Sequence, residues 1–349
     1  MIIVNARFLT QPLTGIQRFA TEISRELLLL RDDVTLAVPS GTVAPADLDP
    51  TRITPVGRRH GHAWEQIDLP LHARRLRRPL LNLSSTGPIW YRPQISTQTD
   101  ITYIRHPESF SRRFRAVYAA IVPRLVAHSD GLLTISEFSR AEVAAHFGVD
   151  PQRYTVVPCA ADERFQPGEP PEGPRYFLAV SSPNAHKNFA RMLRAFARFA
   201  RTHPGVELRV VGSQTNSFAR QRYTIPDAGV RFLGRVDDEE LTLLYRGALA
   251  FVFPSLYEGF GLPPLEAQQC GCPVIAARAA SLPEVLEDSA VYVDPYDEED
   301  LAAAMARLAD DEGLRRRLVA AGLANAARFS WRRSAERVSE VIDRVLALR

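Results

Sequence analysis

The sequence predicts an α/β protein built from two doubly wound domains, each a parallel sheet covered by helices. Short runs of β-branched residues and leucine alternate with helical patterns along the chain, which is typical of such sheets. The length of 349 residues exceeds the roughly 250–300 residues that one hydrophobic core usually supports. A stretch rich in proline and glycine, residues 166–174, separates the alternating series into two.

In the first series, five short runs have the composition of buried strands. They are Ile2–Val4, Val34–Val38, Leu80–Leu83, Ile101–Ile104 and Leu132–Ile135. The last run leads directly into Ser136, whose hydroxyl can cap a helix that continues to about Phe147. Another helix opens at Gly15, because apolar residues recur after it at helical spacing.

The second series contains six candidate strands and ends in helices. The strands are Tyr176–Val180, Val206–Val211, Val230–Leu233, Ala250–Phe253, Val274–Ala276 and Ala290–Val293, and the helices are Asp297–Ala309, Glu312–Arg328 and Trp331–Leu348. We predict an N-terminal domain over residues 1–165, a C-terminal domain over 166–330 and a final helix over 331–349. Ligands of such sheets bind beyond the carboxyl ends of the strands, so we expect the site in strand-to-helix loops facing an interdomain cleft.

Composition excludes several classes of protein. Apolar residues make up 46% and charged residues 24% of the chain, as in folded soluble proteins. The cysteines, Cys159, Cys270 and Cys272, are too few for a disulfide framework and suit a reducing compartment. Cys270 and Cys272 have no second Cys or His pair nearby, so we expect buried thiols and no metal. No signal peptide or membrane-spanning run is evident, and we expect a cytoplasmic protein.

Positive charge is concentrated in two N-terminal segments, residues 72–78 (HARRLRR) and 112–115 (RRFR), although the net charge is only +3. Runs of this kind are usually solvated faces of helices. The alternative is attraction to an anionic membrane surface, such as the inner face of the cytoplasmic membrane, or to a phosphate-bearing acceptor. Nucleic-acid binding requires a higher density of basic residues with interleaved aromatics, so we exclude it.

The most informative segment is residues 253–267, FPSLYEGFGLPPLEA. We interpret it as a buried strand that ends at Phe253, a glycine-rich turn, and a helix that begins near Pro263 or Pro264, where the missing N–H of proline costs little. Gly259 and Gly261 allow the backbone to approach a ligand closely. The segment therefore predicts a ligand-binding turn at the start of a helix.

Polar groups in this turn suit a ligand with several hydroxyls. The backbone N–H groups of Phe260, Gly261 and Leu262 lie at the predicted helix N-terminus, where amides bind hydroxyl or phosphate oxygens. Glu258 and Glu266 stand at the two ends of the turn. Two carboxylates so placed can hold two polyol fragments, for instance a sugar and a ribose.

A second polar loop follows the first strand of the C-terminal series. Residues 181–188 read SSPNAHKN and contain Lys187, the only lysine among 43 basic residues. A strand, a polar loop, a cation and a helix start together predict a phosphate site. A compact ammonium group suits such a site better than the planar guanidinium of arginine when a point charge is needed.

These two loops resemble those of the retaining GT-B glycosyltransferases of family 4, which carry an E-x7-E motif. Glu258 and Glu266 stand at that spacing. The resemblance implies that Glu258 holds hydroxyls of the donor sugar, that the amides of residues 260–262 hold further oxygens, and that Glu266 holds the ribose. It also implies that Lys187 binds the donor diphosphate without a metal, so that a GDP- or UDP-linked sugar is a substrate and no cofactor is needed.

The resemblance extends over nearly the whole chain. Residues 14–19 (TGIQRF) look like the N-terminal glycine loop of the family, which would place Thr14, Gly15 and Arg18 at an acceptor or phosphate. Residues 134–139 (TISEFS) and 281–285 (SLPEV) match further family segments, and the final helix would cross back to the first domain. Four more positions would line the donor by the same resemblance, although the glycines taken alone also fit plain turns. They are Ser182, Gly212, Gly234 and Val236, with Ser213 beside them.

The N-terminal half departs from the family pattern. Relatives carry a His-Asp pair at the end of a central strand, with the histidine facing the donor sugar. Aligning His106-Pro107-Glu108 without gaps puts Thr99 and Asp100 at that pair, whereas an alternative alignment puts His106 itself there. Threonine cannot act as a general base. The resemblance therefore implies a front-face mechanism, in which the departing phosphate oxygen takes the acceptor proton.

The phosphate loop also departs from the pattern. The family usually has an arginine there, and this chain has Ser181, Ser182 and His186 at the corresponding positions. Either another arginine reaches the site or the leaving group is stabilised less.

We therefore expect a metal-independent, retaining hexosyltransferase of bacterial polysaccharide biosynthesis. GDP-mannose is favoured over a UDP-hexose as donor, and the acceptor is a glycan or lipid-linked oligosaccharide. One alternative is a catalytically impaired nucleotide-sugar-binding partner of a glycan assembly complex. The other is a sugar phosphorylase or epimerase of the same fold, but a phosphorylase needs a cofactor lysine, and Lys187 is already assigned to phosphate.

Overall fold

The computed structural model describes residues 1–43, 45–180, 184–212 and 229–347. Ser181, Ser182 and Ser213, which were predicted in the donor loops, lie outside the described residues, as does Leu348 at the end of the last predicted helix. The chain divides into two compact units. The N-terminal unit comprises Met1–Cys159 with Ser330–Arg349, and the C-terminal unit comprises Ala160–Phe329.

The N-terminal unit contains a seven-stranded sheet in the order β3-β2-β1-β4-β5-β6-β7, with all neighbours parallel. Its strands are β1 Ile2–Asn5, β2 Val34–Pro39, β3 Ile53–Val56, β4 Leu80–Asn82, β5 Gln94–Thr97, β6 Gly131–Thr134 and β7 Tyr154–Val156. In register, Ile3 faces Thr35 on one side and Leu80 on the other. Strands buried on both faces are expected to be apolar throughout, as β1 and β2 largely are.

Helices connect these strands. They are α1 Gly15–Leu30, α2 Gly61–Ala63, α3 Leu69–Leu76, α4 Thr102–Arg105, α5 Arg112–His128 and α6 Glu137–Phe147. A π-helical segment, Trp64–Asp68, joins α2 to α3. The predicted capping of α6 is confirmed, since Ser136 Oγ accepts a hydrogen bond from the Ser139 amide at 3.0 Å.

The C-terminal unit contains a six-stranded parallel sheet in the order β10-β9-β8-β11-β12-β13. Its strands are β8 Tyr176–Val180, β9 Glu207–Val211, β10 Val230–Gly234, β11 Ala250–Phe253, β12 Val274–Ala277 and β13 Val291–Val293. The described helices are α7 Phe189–Ala200, α8 Asp238–Gly247, α9 Leu262–Gln269, α10 Leu282–Leu286, α11 Glu298–Asp310 and α12 Glu312–Ala326. Phe177 and Phe196 are completely buried in the core between sheet and helices. The predicted doubly wound fold is confirmed in both units.

The last helix, α13 (Trp331–Ala347), belongs to the N-terminal unit. Its first residue, Trp331, meets Phe19 of α1 edge to face, with ring centroids 6.2 Å apart. At the other end of the contact, Arg31 donates a hydrogen bond of 2.6 Å to Asp343. An aromatic contact and an ion pair thus fix α13 against α1.

The predicted strand Ile101–Ile104 is wrong, because residues Thr102–Arg105 form helix α4. Asp100 Oδ1 accepts a hydrogen bond of 2.8 Å from the Thr102 amide, which favours a turn at this point. The strand lies earlier, as β5, whose sequence QIST is largely polar although it is fully buried. Two of its three polar side chains have partners inside the fold, since Gln94 Nε2 donates to the Pro88 carbonyl at 2.9 Å and Ser96 Oγ accepts from Ser129 Oγ at 2.8 Å. The buried Thr97 hydroxyl has no partner among the described residues.

The short strands β3 and β7 at the two edges of the N-terminal sheet were also missed. Edge strands are covered less completely, so fewer of their residues need to be apolar, and the pattern of buried positions is correspondingly weak.

The three cysteines are buried, and none of them forms a disulfide. Burial raises the pKa of the Cys270 thiol to about 12, so that it stays protonated near neutral pH. None of the described helices is both long enough and apolar enough to cross a membrane.

Candidate functional site

The side chains of Lys187 and Glu258, from the two loops predicted to bind the donor, are in direct contact. Lys187 Nζ lies 2.7 Å from Glu258 Oε1, and the side chains are 22% and 14% exposed. Lys187 follows β8 and Glu258 follows β11, and these strands are neighbours in the sheet. The lysine ammonium also lies 5.3 Å from the centroid of the Phe253 ring, a favourable cation–π distance. Adjacent parallel strands thus bring the predicted phosphate and sugar residues together.

The Lys187 loop is fixed by the residue that follows the lysine. Asn188 adopts a left-handed backbone conformation with φ of 57°, which asparagine tolerates better than most residues, and it stands immediately before α7. Its Nδ2 donates hydrogen bonds to the carbonyls of Pro254 at 3.0 Å and Pro295 at 2.6 Å. The buried His186 contributes its carbonyl, which accepts from the Leu256 amide at 2.7 Å. The loop is therefore tied to the loop that carries Glu258.

The glycine-rich turn has the predicted form, with α9 beginning at Leu262. Gly261 precedes the helix with φ of +100°, and a Cβ atom there would lie 2.7 Å from Leu282 Cδ2. Only glycine meets both requirements. Among the described residues, the amides of Phe260, Gly261 and Leu262 have no hydrogen-bond partner. They remain available at the helix N-terminus, where they complement anionic or hydroxyl oxygens.

Two further contacts hold this turn. Ser281 Oγ donates a hydrogen bond of 2.9 Å to the carbonyl of Glu258, and the serine is fully buried just before α10. The Phe260 ring meets Phe329 edge to face, with centroids 5.4 Å apart. Glu266 is a buried residue of α9. Its assignment to the ribose stays a prediction.

The predicted nucleotide-lining glycines end the next two strands. The Gly212 amide donates a hydrogen bond of 2.8 Å to the Gly234 carbonyl, so the carboxyl ends of β9 and β10 are joined. Both glycines have positive φ, 151° and 77°, which explains the need for glycine at least at Gly234. Val236 is half-buried beyond β10. Their contact with a nucleotide stays a prediction.

In the N-terminal unit, Thr99 and Asp100 follow the buried strand β5. Thr99 is buried, with its Oγ1 3.3 Å from Ser85 Oγ, and Asp100 caps the turn into α4. His106 comes after α4, and its Nδ1 lies 3.2 Å from Glu108 Oε1. The position at the end of the strand is therefore taken by Thr99 and Asp100, and His106 is not at a strand end.

The predicted N-terminal glycine loop lies at the start of α1. Thr14 and Gly15 are exposed, and the Arg18 amide donates to the Thr14 carbonyl at 2.9 Å in the first turn. The Thr14 hydroxyl is hydrogen-bonded to the Gln17 side chain. Exposed groups at a helix start are compatible with ligand binding, and the role of the loop stays a prediction.

Sequence reasoning missed three supporting residues. The side chains of Asn188 and Ser281 donate hydrogen bonds to backbone carbonyls, which a sequence pattern does not reveal. For Asn188, the tolerance of asparagine for left-handed backbone was the one available indication. The third is Glu65, which lies in a buried polar cluster of the N-terminal unit.

Within the residues that the structure describes, no group of three or more His, Cys, Asp or Glu side chains is placed to hold a metal ion.

Replacement of Gly261 by alanine tests the backbone requirement of the turn. The left-handed conformation and the overlap with Leu282 should lower the free energy of unfolding by about 2 kcal/mol or more. Urea denaturation of Gly261→Ala beside the parent protein measures the loss. Gly15→Ala is the control, since a Cβ there meets nothing within 4 Å. An unchanged midpoint in Gly261→Ala would show that the turn is not constrained as described.

Two family models match the chain in succession. The model described as Glycosyltransferase Family 4 matches residues 13–165, and the model described as Glycosyl transferases group 1 matches residues 161–324. O-antigen chain mannosyltransferase B of Escherichia coli is 29% identical, over 92% of this chain and 93% of that protein. D-inositol 3-phosphate glycosyltransferase of Corynebacterium kroppenstedtii is 31% identical over 73% of this chain, which spans only 62% of that relative.

Solved structures share the architecture at low sequence identity. Sucrose-phosphate synthase from Thermosynechococcus elongatus superimposes with a TM-score of 0.78 at 18% identity, over 100% of this chain and 99% of the other. WaaG, a glycosyltransferase involved in lipopolysaccharide biosynthesis, gives 0.75 at 15% identity, over 98% and 99%. HepE from Anabaena, solved with UDP-glucose, gives 0.74 at 17%, over 98% of both chains. These structures show that the chain has the GT-B fold. The two family models, which together cover residues 13–324, show that it belongs to the glycosyltransferases of family 4.

Proposed function

We propose that this glycosyltransferase transfers a hexose, preferably mannose, from a GDP-linked donor to a glycan or lipid-linked acceptor in bacterial polysaccharide biosynthesis. The observation that carries the proposal is the contact between Lys187 and Glu258 where β8 and β11 end. The preference for mannose is supported by the relative from Escherichia coli, which is named a mannosyltransferase of the O-antigen chain. Since the relatives are named as transferases, the phosphorylase, the epimerase and the impaired binding partner are not favoured.

The ion pair holds two opposite charges where we propose that the donor binds. The ammonium of Lys187 and the carboxylate of Glu258 lie 2.7 Å apart and neutralise each other. A nucleoside diphosphate carries more negative charge than one carboxylate and so competes for the lysine. Glu258, released from the pair, then accepts hydrogen bonds from hydroxyls of the donor sugar. One contact thus prepares both groups for the two parts of the donor.

The same groups suit departure of the nucleotide without a metal ion. Cleavage of the sugar–phosphate bond adds negative charge to the diphosphate, and a fixed ammonium stabilises that charge. The amides of residues 260–262 supply further donors at the start of α9. These groups are present before the reaction begins, so no reorganisation opposes the developing charge.

We propose transfer with retention of the anomeric configuration. Thr99, at the end of β5, has no basic group that could remove the acceptor proton. A front-face reaction needs no such base, because the departing phosphate oxygen takes the proton as the acceptor oxygen attacks the same face of the sugar. The anomeric configuration of the product, measured by NMR, tests this proposal, and an inverted product would contradict it.

We further propose that the enzyme works in the cytoplasm against the inner face of the membrane. Trp90 and Leu71 are large apolar residues that are 81% and 60% exposed in the N-terminal unit. Together with Ile67 and Arg74 they line one shallow hollow, and Arg77 extends the basic surface beside Trp90. Tryptophan and leucine surrounded by arginine suit the boundary between lipid headgroups and acyl chains, with the guanidinium groups on anionic phosphates.

Substitution of either member of the ion pair should stop transfer. Because each group contacts a different part of the donor, Lys187→Ala and Glu258→Ala should each lower the transfer rate by at least about 100-fold. Release of nucleoside diphosphate in the presence of acceptor measures the rate. Lys187→Arg should remain impaired if a point charge is needed. Arg201→Ala, an exposed arginine on the same unit, is the control. Full activity in a folded Lys187→Ala or Glu258→Ala variant would refute the site.

A thermal-shift series tests the donor base and the independence from metal together. A ligand that binds only the native state raises the melting temperature, so GDP should raise it more than UDP, ADP, dTDP or CMP. The rise should be the same in EDTA and in Mg²⁺. A larger shift with UDP would replace the GDP proposal, and a shift that disappears in EDTA would contradict metal-free binding.

Membrane contact is tested by cosedimentation with phosphatidylcholine vesicles, with and without phosphatidylglycerol. Binding should require the anionic lipid, and reversal of Arg74 and Arg77 to glutamate should weaken it by at least about tenfold. Trp90→Ser should weaken it through lost apolar burial. The matched control reverses Arg201 and Arg307, two exposed arginines of the C-terminal unit. Equal binding by all variants would exclude the Trp90 surface.

A further inference from the structure

A buried polar cluster in the N-terminal unit is not used by the donor site. Its centre is the carboxylate of Glu65, which is fully buried. Oε1 accepts hydrogen bonds from Asn5 Nδ2 at 3.0 Å, Arg7 Nε at 3.1 Å and Thr86 Oγ1 at 2.9 Å. Oε2 lies 3.0 Å from His62 Nδ1. Four side chains from three segments of the chain thus converge on one carboxylate.

The cluster lies at the carboxyl ends of β1 and β4, the two neighbouring strands from which the sheet extends in opposite directions. Asn5 ends β1, His62 and Glu65 follow β3, and Thr86 follows β4. Strands β1 and β4 are neighbours, and the chain builds the sheet outwards from them in opposite directions. The carboxyl ends of strands at such a switch point border the crevice in which doubly wound sheets bind ligands. The Lys187–Glu258 pair occupies the equivalent place in the other sheet, between β8 and β11.

Stability alone does not account for the cluster. A buried ion pair such as Arg7–Glu65 is often no more stabilising than well-packed apolar residues of similar volume, because both charges lose their hydration. Desolvation raises the pKa of Glu65, but hydrogen bonds from His62 and Asn5 and the charge of Arg7 lower it overall, so the carboxylate stays ionised. The fold therefore maintains an oriented charge at the ligand end of the sheet.

His62 is the member of the cluster that reaches the surface. Its side chain is 38% exposed, and Nδ1 is held by Glu65. Among the described residues, Nε2 has no hydrogen-bond partner. In the neutral imidazole, donation from Nδ1–H to the carboxylate leaves the lone pair on Nε2. That lone pair accepts a hydrogen bond from a hydroxyl, whereas a fully ionised phosphate offers no proton to it.

We propose that His62 binds the acceptor, with Nε2 accepting a hydrogen bond from a hydroxyl of a neutral sugar residue. Glu65 orients the imidazole, and Arg7 and Asn5 hold Glu65 in place. This inference rests on the proposed glycosyl transfer, since it supplies a contact for the acceptor. Ser85, which precedes Thr86 in the chain, contacts Thr99, so the cluster adjoins the segment after β5 that carries Thr99 and Asp100.

The direct test is the ¹⁵N resonance of His62 Nε2 in the whole protein with GDP bound. Titration with methyl α-D-mannopyranoside and, separately, methyl α-D-glucopyranoside should shift this resonance with at least one of the two sugars. The resonance of His60, an exposed histidine on the same loop, should not move. An unshifted Nε2 resonance with both sugars would overturn the proposal.

Two substitutions separate binding from structure. The amide of asparagine reaches the position of Nδ1, so His62→Asn keeps the bond to Glu65 and loses the contact with the sugar. The longer glutamine reaches the position of Nε2, so His62→Gln keeps the contact. We expect His62→Asn to weaken binding of the shifted sugar about tenfold with an unchanged melting temperature, and His62→Gln to bind better than His62→Asn. Equal affinity in His62→Asn and the parent protein would refute the role.

Nucleotide binding, measured on the same samples by thermal shift, keeps the two proposals apart. Normal GDP binding with no effect of His62 on the sugar would refute the acceptor site and leave the proposed donor site intact. A protein that binds the sugar through His62 but binds no nucleotide would refute the proposed function alone.

Discussion

The order of the strands is the constraint on which both polar sites depend. In each sheet the first and fourth strands of the unit are neighbours, β1 with β4 and β8 with β11, and the chain builds outwards from that pair. The loops that leave these two strands cannot cover the gap between them. The lysine–glutamate pair fills this position in the C-terminal unit and the Glu65 cluster fills it in the N-terminal unit. The polar residues differ between the two units because the loops differ in sequence, but both groups lie at the carboxyl ends of the central strand pair.

The two polar sites are held in different ways. In the C-terminal unit the anchors are mostly backbone groups: Asn188 binds two proline carbonyls, and Ser281 binds the carbonyl of Glu258. This arrangement fixes the course of the loops, and the charged side chains of Lys187 and Glu258 pair with each other. In the N-terminal unit, four side chains fix the carboxylate of Glu65 itself. A ligand can therefore replace one member of the Lys187–Glu258 pair as the partner of the other. The Glu65 carboxylate, by contrast, is suited to hold a neighbouring side chain in a fixed orientation.

The sequence predicted those parts of the candidate site whose functional residues lie close together in the chain. The turn around Gly261 and the lone Lys187 could be found because glycine, proline, carboxylate and ammonium act there within a few residues of each other. Strand β5 could not be found, because most of its buried residues are polar, and Gln94 and Ser96 have their hydrogen-bond partners outside the strand. The Glu65 cluster was hidden for the same reason, since Asn5 and Glu65 are 60 residues apart in the chain. Partners at that separation meet only once the sheet has formed.

The single lysine has a practical consequence. Because Lys187 is the only lysine, the ε-amino group of this protein is a natural label for one loop. Besides the α-amino group of Met1, reagents that acylate amines have one side chain to modify, and that side chain is partly shielded and paired with Glu258. Any ligand that occupies or rearranges this loop changes the reactivity of that one amine. Because every other basic residue with a long side chain is arginine, the rate at which the lysine is acylated reports on ligand binding at the candidate site.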